Sequence, residues 1–402
     1  MKKRNGDSGV RPAALLLAAE CPYPLAGGGA LRTAALAQYL AKHYDLDIAV
    51  FRQQGAPDPK SLLPPGLVRD LHVIPLPFHA RGWLARSARN LRRLAQGAPP
   101  LTDRFGGFAQ DLERFLAGRR YELAVVEHFW CAAYVEQLAP VAARVVLDLH
   151  NIESILHGWC AESEPWPASW AHRRFRAACR GLERRWLPRF SRLLVVSARD
   201  RELVREILPG ARVDVYPNTI PRVALPAREP RESIVFSGNL EYHPNVTAVR
   251  FFRREIWPLL RDQWPQLTWE LVGRNPEAVR KLVGDDPRIR LTGPVEDAVA
   301  TLAGAKVAIV PLLAASGTRV KILEAWAAGV PVVSTSLGAE GLPCRQGEHL
   351  LVADRAQPFA DSVSLLLTST ELGAELRQAG RELYEREFTW EAGWERLAEA
   401  GL

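Results

Sequence analysis

The sequence predicts an α/β protein with two domains, each built on a parallel sheet, and three observations lead to this prediction. Short apolar, β-branched runs alternate with helical patterns, which is typical of parallel sheets covered on both faces by helices. The length of 402 residues exceeds the usual size of one hydrophobic core. Residues 219–233 are rich in proline and charge and lack apolar periodicity, which indicates a linker between two series of strands.

Seven strands are expected before the linker and six after it. The first series covers residues 13–20, 46–51, 71–77, 122–128, 143–150, 192–198 and 211–218. The second covers residues 232–238, 267–273, 289–293, 306–312, 330–336 and 349–354. We therefore expect one domain over residues 1–220 and a second over 221–385. Residues 386–402 are expected to form a helix that packs back toward the first domain. Open α/β sheets bind ligands at the carboxyl ends of their strands, so we expect a cleft between the two domains there.

Composition indicates which classes of partner the protein can bind and in which cellular compartment it is expected. The net charge of +7 favours anionic partners such as nucleotides, anionic lipid headgroups or nucleic acid, and it fits a mildly basic enzyme equally well. The five cysteines are scattered without C-x-x-C spacing, which argues against a disulfide framework or a zinc site and indicates a cytoplasmic location. The apolar run 12–19 is too short for a signal peptide and is interpreted as the first strand. No run approaches the roughly 20 apolar residues of a spanning helix, so membrane contact is expected to be peripheral.

The stretch from Ser316 to Leu342 is the most informative part of the chain. It places Arg319, Lys321 and Glu324 at a predicted junction between a strand and a helix. A helix start attracts phosphate, because it carries unpaired N–H groups and a partial positive charge. A carboxylate one turn later can accept hydrogen bonds from the paired hydroxyls of a ribose. The stretch therefore predicts a nucleotide site, with a surface glutamate and solvated cations as the structural alternative.

Two further segments place candidate residues at predicted strand ends. A glycine-rich turn containing Gly28 and Gly29 follows the first strand, and glycines let the backbone approach a diphosphate or sugar closely. Arg32 on the next helix can face the ligand, and the spacing is not the dinucleotide fingerprint. His150 ends a buried strand and can hydrogen-bond a sugar, or it can be a structural histidine paired with backbone. Glu127 and His128 end the preceding strand and are weaker candidates on the acceptor side.

Together these motifs resemble the retaining glycosyltransferases of family 4, which have the GT-B fold. The resemblance covers almost the whole chain and includes Gly-Gly-x-x-Arg, VVSARD, YPN, FSGNLEYHPN, ELVGRNP, LTGPVED and IVPL. The SGTRVKILEA and YHPN variants resemble a bacterial subgroup associated with exopolysaccharide and cell-surface glycan assembly. The resemblance implies sugar transfer from a nucleoside diphosphate sugar to a glycan or lipid-linked acceptor, with retention and without a metal or cofactor. The only Asp-x-Asp motif, Asp45-Leu-Asp47, opens a strand at the end away from the expected cleft.

The resemblance also implies roles for individual residues. Glu324 holds the ribose hydroxyls, and His150 lies near the reacting carbon. The other residues implied in donor binding are Gly238, Asn239, Gly273, Arg274, Gly293, Val295, Ser316, Gly317 and Thr318. Gly293 and Val295 match the loop whose backbone reads the nucleobase, and Gly273 and Arg274 match another loop at the edge of the cleft. Both loops can equally be ordinary turns between a strand and a helix. The family carries a second glutamate where this chain has Ser316. The loop 237–245 lacks the cations that many relatives use there, so we infer that Arg319, Lys321 or both neutralise the diphosphate, catalysing its departure.

Residues 78–94 form a basic stretch with interleaved tryptophan and leucine. It is interpreted either as an interfacial helix that touches anionic lipid or a lipid-linked acceptor, or as an ordinary helix covering the sheet. A second basic-aromatic run over 170–189 is interpreted as a long domain helix.

Two alternatives to sugar transfer stay open: a sugar-nucleotide epimerase on the same fold, and a nucleotide-sugar-binding subunit that has lost activity. Nucleic acid is not expected as a partner, because no aromatic-basic sheet motif is present.

Overall fold

The computed structural model describes residues 11–25, 27–78, 82–227, 229–313 and 320–402. Internal contacts divide the chain into two units. The first runs to Val195 and resumes over Asp200–Asp214, with Leu402, and the second comprises Val196–Arg199 and Val215–Gly401. The predicted boundary after residue 220 falls a few residues beyond this division. The predicted packing of residues 386–402 against the first domain stays a prediction.

The first unit is built on a seven-stranded sheet in the order β3-β2-β1-β4-β5-β6-β7. Its strands are β1 (Ala13–Ala18), β2 (Asp45–Gln53), β3 (Asp70–Leu76), β4 (Tyr121–Glu127), β5 (Ala142–Leu149), β6 (Arg192–Val195) and β7 (Val213–Val215). Its helices are α1 (Gly28–His43), α2 (Pro59–Leu62), α3 (Trp83–Gln96), α4 (Pro100–Phe105), α5 (Ala109–Leu116), α6 (Val135–Leu138), α7 (Glu153–Ser163), α8 (Ala168–Trp186) and α9 (Ala198–Ile207). Strand β1 pairs in parallel with both β2 and β4, so the strand order reverses at its carboxyl end. Ligands of open α/β sheets bind at such reversals.

The second unit repeats this design on a six-stranded sheet in the order β10-β9-β8-β11-β12-β13. Its strands are β8 (Arg231–Ser237), β9 (Thr268–Val272), β10 (Ile289–Gly293), β11 (Ala305–Val310), β12 (Val332–Ser334) and β13 (Leu351–Val352). Its helices are α10 (His243–Phe251), α11 (Trp257–Gln263), α12 (Glu277–Val283), α13 (Ala298–Leu302), α14 (Val320–Ala327), α15 (Ser336–Ala339), α16 (Ala356–Thr368), α17 (Thr370–Glu387) and α18 (Trp390–Glu399). A π-helical turn, Phe252–Ile256, joins α10 to α11. Here β8 pairs in parallel with β9 and β11, so the reversal lies at the ends of β8 and β11.

All thirteen predicted strands form, and the predicted α/β class with two parallel-sheet domains is confirmed. The central strands β1 and β4 are buried along most of their length, as their continuous apolar runs predict. Two of the strands that are shorter than predicted lie at sheet edges, where the runs 211–218 and 349–354 reduce to β7 and β13. An edge strand has a partner on one side only, so fewer of its residues are held in the ladder.

Candidate functional site

In the second unit, Lys321 and Glu324 lie one turn apart on α14, the helix that follows β11. Side chains three residues apart project from the same face of a helix. The neighbouring strand β8 ends at Ser237, beside which Glu324 lies. The sheet reverses its strand order between β8 and β11, so both charged side chains occupy the position where this kind of sheet binds ligands.

Glycines at three adjacent strand ends form a floor of bare backbone. The N–H of Gly238 donates to the carbonyl of Val272 at 2.9 Å, and the N–H of Gly273 donates to the carbonyl of Gly293 at 3.0 Å. A Cβ on Gly273 would lie 1.8 Å from the carbonyl oxygen of Gly238, and φ of Gly273 is 140°. Position 273 therefore has no room for a side chain, and the strand ends offer main-chain atoms to whatever binds above them.

Lys321 is held beside this floor by Asn245, in the first turn of α10. Its Nζ donates to Oδ1 of Asn245 at 2.6 Å and lies 4.2 Å from the centroid of the Phe236 ring. Asn245 in turn donates from Nδ2 to the carbonyl of Asn239 at 2.8 Å. A Cβ on Gly238 would lie 3.4 Å from the same Nζ, so the ammonium group reaches the backbone of the strand end. The arrangement places a positive charge beside glycine backbone that a phosphate group could approach closely.

Glu324 is partly buried, and its carboxylate accepts a hydrogen bond from Oγ of Ser237 at 3.4 Å. Burial raises its pKa to about 7, although the charge of Lys321 and the Ser237 hydrogen bond act in the opposite direction. The group therefore titrates near neutral pH. An ionised carboxylate here has lone pairs available for further donors, such as a pair of hydroxyls.

The other predicted donor-binding residues of this unit either lie in loops just beyond the strand ends or lie outside the described part of the chain. Asn239 orders the loop after β8, since its Oδ1 accepts from Asn275 Nδ2 at 2.9 Å. Arg274 has an exposed side chain, and its carbonyl accepts from the N–H of Leu240 at 2.9 Å. Val295 is partly exposed just beyond the end of β10. Four predicted residues lie outside the described part of the chain: Ser316, Gly317, Thr318 and Arg319.

The sequence predicts that the side chain of Arg32 faces a ligand, but in the structure this side chain is turned into the interior of the first unit. It is completely buried, and its Nε and Nη2 bind the carboxylate of Asp148 at 2.8 and 2.5 Å. Asp148 is equally buried. The guanidinium is committed to a carboxylate of the sheet, so direct contact with a phosphate would require it to break this ion pair. No local sequence pattern indicates this pairing, because the partners are 116 residues apart.

The predicted His150 follows β5 and lies between two carboxylates. Its Nε2 is 3.4 Å from Oε1 of Glu127 and 3.4 Å from Oδ2 of Asp148. Thr33 donates from Oγ1 to the other oxygen of Glu127 at 2.7 Å. These contacts orient the ring of His150 and bring it together with Glu127, which sequence reasoning had placed among the weaker candidates.

Burial and the neighbouring charges shift the pKa of each group of this cluster in opposite directions. Burial raises the pKa of Glu127, against the influence of His150. Burial would also raise the pKa of Asp148, but the charge of Arg32 holds it below its ordinary range. Burial alone would lower the pKa of His150, but hydrogen bonds to Asp148 and Glu127 raise it. The cluster therefore favours an ionised Asp148 beside an imidazole that gains a proton readily, which makes His150 a hydrogen-bond donor.

His128 is a strained residue against the same cluster. Its φ is 62°, an uncommon value for a residue other than glycine. Its ring stacks on Trp130 with 4.0 Å between centroids and lies 3.7 Å from the ring of His150. Burial lowers its pKa well below the ordinary value, so it is neutral near pH 7. Strain of this kind is often found at functional sites, and it gives His128 more weight than its sequence context did.

The glycine turn leads directly into α1. Gly28 is the first residue of the helix, and the carbonyl oxygen of Gly29 lies 2.9 Å from Oγ1 of Thr33. A Cβ at Gly29 would meet no atom within 4 Å, so packing does not require glycine there. The turn follows β1, at the reversal of the first sheet, as its position in the sequence predicted.

Glu127, Asp148 and His150 have ligand atoms within 4.8 Å of one another, close enough to surround a cation. Arg32 occupies both oxygens of Asp148, and its positive charge disfavours a metal ion at the same carboxylate. The expectation of metal-independent chemistry stays a prediction. The Asp-x-Asp motif opens β2 as predicted, and the carboxylate of Asp47 is buried and binds Arg69 at 2.6 Å and Tyr121 at 2.9 Å. These contacts give Asp47 a structural role.

Among the described residues, no helix is both long enough and apolar enough to cross a lipid bilayer.

Comparison with known proteins relates the second unit to a family of enzymes. Residues 231–369 match the family described as glycosyl transferases, group 1. A relative from Klebsiella pneumoniae, an uncharacterized 44.6 kDa protein in the cps region, is 27% identical over 139 residues. This match covers 33% of the present chain and 36% of the relative, so the chain matches about a third of the length of that protein.

The whole chain is similar in fold to solved structures. Sucrose-phosphate synthase from Thermosynechococcus elongatus has a TM-score of 0.73 and 18% identity, covering 97% of this chain and 98% of that one. Anabaena HepE, in complex with UDP and glucose, has a TM-score of 0.66 and 16% identity over 96% and 98% of the chains. A mutant of S. aureus TarM in complex with UDP has a TM-score of 0.69 and 10% identity over 97% and 99%. The chain thus has the GT-B fold of these glycosyltransferase structures, and its second unit carries a region similar to group 1 glycosyl transferases.

Proposed function

We propose that the protein is a retaining glycosyltransferase of family 4 that moves a sugar from a nucleoside diphosphate sugar to an acceptor hydroxyl, without a metal or cofactor. The observation that carries the proposal is the placement of Lys321 and Glu324, one turn apart over a glycine floor, within the region similar to group 1 glycosyl transferases. A cation and a carboxylate at this spacing match a ligand that carries both phosphate and a sugar diol.

The reaction requires a stable diphosphate leaving group, and the second unit supplies charge for it. Lys321 neutralises negative charge as the sugar–phosphate bond breaks, because electrostatic stabilisation of developing charge is a major source of catalysis. The carboxylate of Glu324 accepts hydrogen bonds from the ribose hydroxyls. The backbone of Gly238 and Gly273 lets the diphosphate approach closely.

In the first unit, His150 donates a hydrogen bond to the sugar that is transferred. Asp148 and Glu127 orient its ring and favour its protonated form. The departing phosphate accepts the proton of the acceptor hydroxyl, so no side chain is assigned as general base. Thr33 and Arg32 act on this site through the two carboxylates.

The comparisons support a particular setting. HepE and TarM were solved with UDP, which supports UDP as the first donor nucleotide to test. The relative from K. pneumoniae is described as lying in a cps region, which supports a role in bacterial exopolysaccharide or other cell-surface glycan assembly. We propose a glycan or lipid-linked acceptor, and a cytoplasmic enzyme at the inner face of the membrane.

The proposal is tested by incubating the protein with a panel of UDP-, GDP- and ADP-sugars, with and without EDTA, and following the products by proton NMR. We expect one donor to lose its nucleoside diphosphate, a product with the same anomeric configuration as the donor, and no effect of EDTA. An epimerised sugar nucleotide formed without acceptor would identify an epimerase instead. Donor binding without turnover across simple sugar and lipid-linked acceptors would identify a binding subunit.

Replacing Lys321 with methionine is expected to weaken UDP binding about 10- to 100-fold, because a hydrogen bond to a charged group contributes roughly 1.5–3 kcal/mol. Isothermal titration calorimetry with UDP, and with GDP and ADP in parallel, measures the change. The matched control is Lys281→Met, which removes the same charge from an exposed position on α12. Equal UDP affinity of the Lys321 variant and the wild type would remove Lys321 from the phosphate site.

A further inference from the structure

Helix α3 turns an apolar stripe toward solvent. Leu84, Ala88, Leu91 and Ala95 are all exposed, with Leu84 66% and Leu91 70% accessible. Their spacing of four, three and four residues places them along one face of the helix. The opposite face holds Arg93, which is buried and binds Asp103 at 2.7 Å. Helix α3 therefore exposes its apolar side chains to solvent and buries an arginine, which is the reverse of a helix that covers a core.

The exposed tryptophans of the described chain lie on or beside α3 and α8. Trp83 is 74% accessible at the start of α3, Trp166 is 80% accessible just before α8, and Trp170 is 48% accessible in its first turn. The carboxyl end of α3 lies near the middle of α8, where a Cβ on Gly97 would lie 4.0 Å from Cβ of Ala178. Tryptophan is enriched at membrane interfaces, because its ring is apolar and its N–H can remain hydrated.

The same two helices carry an excess of positive charge. Helix α3 holds four arginines and no acidic residue, and α8 holds six arginines and one glutamate. Their combined charge of +9 exceeds the +7 of the entire chain, so the rest of the chain is slightly acidic. Arg173 and Arg174 of α8 are exposed, a single turn beyond Trp170.

This combination selects one kind of partner. A second copy presenting the same face would bring two strongly positive layers together, which repel each other. A nucleic acid backbone would satisfy the arginines but would leave the leucine stripe exposed to water. An anionic lipid surface satisfies both, because acyl chains accept the apolar side chains while headgroup phosphates attract the arginines.

We propose that α3 and the first half of α8 form a docking surface for an anionic lipid bilayer. The stripe Leu84–Ala88–Leu91–Ala95 and Trp83 enter the boundary between headgroups and acyl chains, and the exposed arginines of α8 bind headgroup phosphates. The surface belongs to the first unit alone and does not depend on the proposed sugar transfer. Binding is therefore measured without donor or acceptor, and its failure would leave the proposed reaction untouched.

The test is flotation of the full-length protein with vesicles of phosphatidylcholine alone or of phosphatidylcholine with 30 mol% phosphatidylglycerol, a composition chosen as about that of a moderately anionic bilayer. We expect binding to the anionic vesicles only, and weaker binding at high salt. The double variant Leu84→Asp/Leu91→Asp is expected to bind at least about tenfold more weakly, because each leucine loses its apolar burial. The control double variant, Leu259→Asp/Leu365→Asp, places the same charges on α11 and α16 and should bind as the wild type does.

A second variant keeps the proposal testable if the aspartates disturb folding. Arg173→Gln/Arg174→Gln is expected to lower binding to anionic vesicles by about fivefold per arginine. Circular dichroism and thermal unfolding check that each variant is folded. Failure of the wild type to bind anionic vesicles at low salt would overturn the proposal. So would unchanged binding of the folded leucine variant, or a dimer without lipid that this variant abolishes, since a second copy would then cover the stripe.

Discussion

Replacing Glu324 with glutamine is expected to stabilise the protein and weaken nucleotide binding at the same time. The folded protein holds the pKa of Glu324 at about 7, against an ordinary value of 4.5, chiefly because the group is buried. At pH 8 the folded state must therefore keep an ionised carboxylate that it disfavours. A shift of this size corresponds to about 3 kcal/mol, since each pKa unit is about 1.4 kcal/mol. Glutamine removes this cost, but it also removes the charge that would hold the ribose hydroxyls.

The sign of the pH dependence follows from the raised pKa. The protonated form of Glu324 favours the folded state, so its contribution is complete below about pH 4.5 and is lost as the pH rises through about 7. The melting temperature of the glutamine variant should thus exceed that of the wild type by roughly 5–10 °C at pH 8, with little difference at pH 4.5. UDP affinity at pH 8 should fall about 10- to 100-fold, as expected for hydrogen bonds to a charged group.

The matched control is Glu340→Gln, an exposed glutamate of the same unit, which should change neither property. Scanning calorimetry at the two pH values and titration with UDP provide the measurements. A variant that is less stable than the wild type at pH 8 would show that the carboxylate of Glu324 is compensated by its surroundings. Undiminished UDP affinity would place the ribose elsewhere.

Replacing Arg32 with methionine is expected to destabilise the protein by about 3–5 kcal/mol, because it leaves Asp148 as a buried charge that has lost its guanidinium partner. Both oxygens of Asp148 are bound by Arg32, and both side chains are completely buried. His150 remains as the neighbour at 3.4 Å. The free energy of unfolding from urea denaturation measures the loss.

The pH dependence of this variant has the opposite sign to that of Glu324. In the wild type the pKa of Asp148 is depressed, so its contribution is present above its ordinary pKa of 3.8 and is lost as the pH falls through the folded value. Without Arg32 the deficit should be large at pH 7 and should shrink on acidification toward pH 4. Adding Asp148→Asn to the variant should recover part of the stability. A single variant as stable as the wild type would show that water or His150 compensates Asp148.

The sequence predicts the strands well and the side-chain pairs poorly. Strands such as β1 and β4 are visible because continuous apolar runs require burial on both faces. The pairs Arg32–Asp148 and Lys321–Asn245 join positions 116 and 76 residues apart, and no local pattern connects them. The absence of cations from the loop 237–245 was visible in the sequence. The sequence did not reveal that Asn245, which lies in the first turn of α10, binds the ammonium group of Lys321.

The orientation of helix α3 is a second feature that the sequence does not predict. Its basic and apolar residues are evident in the sequence, but the periodicity of Leu84 and Leu91 fits burial against the sheet as well as exposure. The structure turns Arg93 inward because Asp103 of α4 neutralises it. The orientation of this helix thus depends on a carboxylate from another element, which the sequence of the helix does not contain.

The glycine floor of the second unit has a consequence for donor choice. Gly238, Gly273 and Gly293 present main-chain atoms and no side chain that could be exchanged to distinguish one hexose from another. At Gly273 a contact of 1.8 Å to any added Cβ bars a side chain that would introduce such a distinction. Selectivity among donors must come from the surrounding loops, and engineering a new donor preference should begin with residues such as Asn239 and Arg274 rather than with the strand ends.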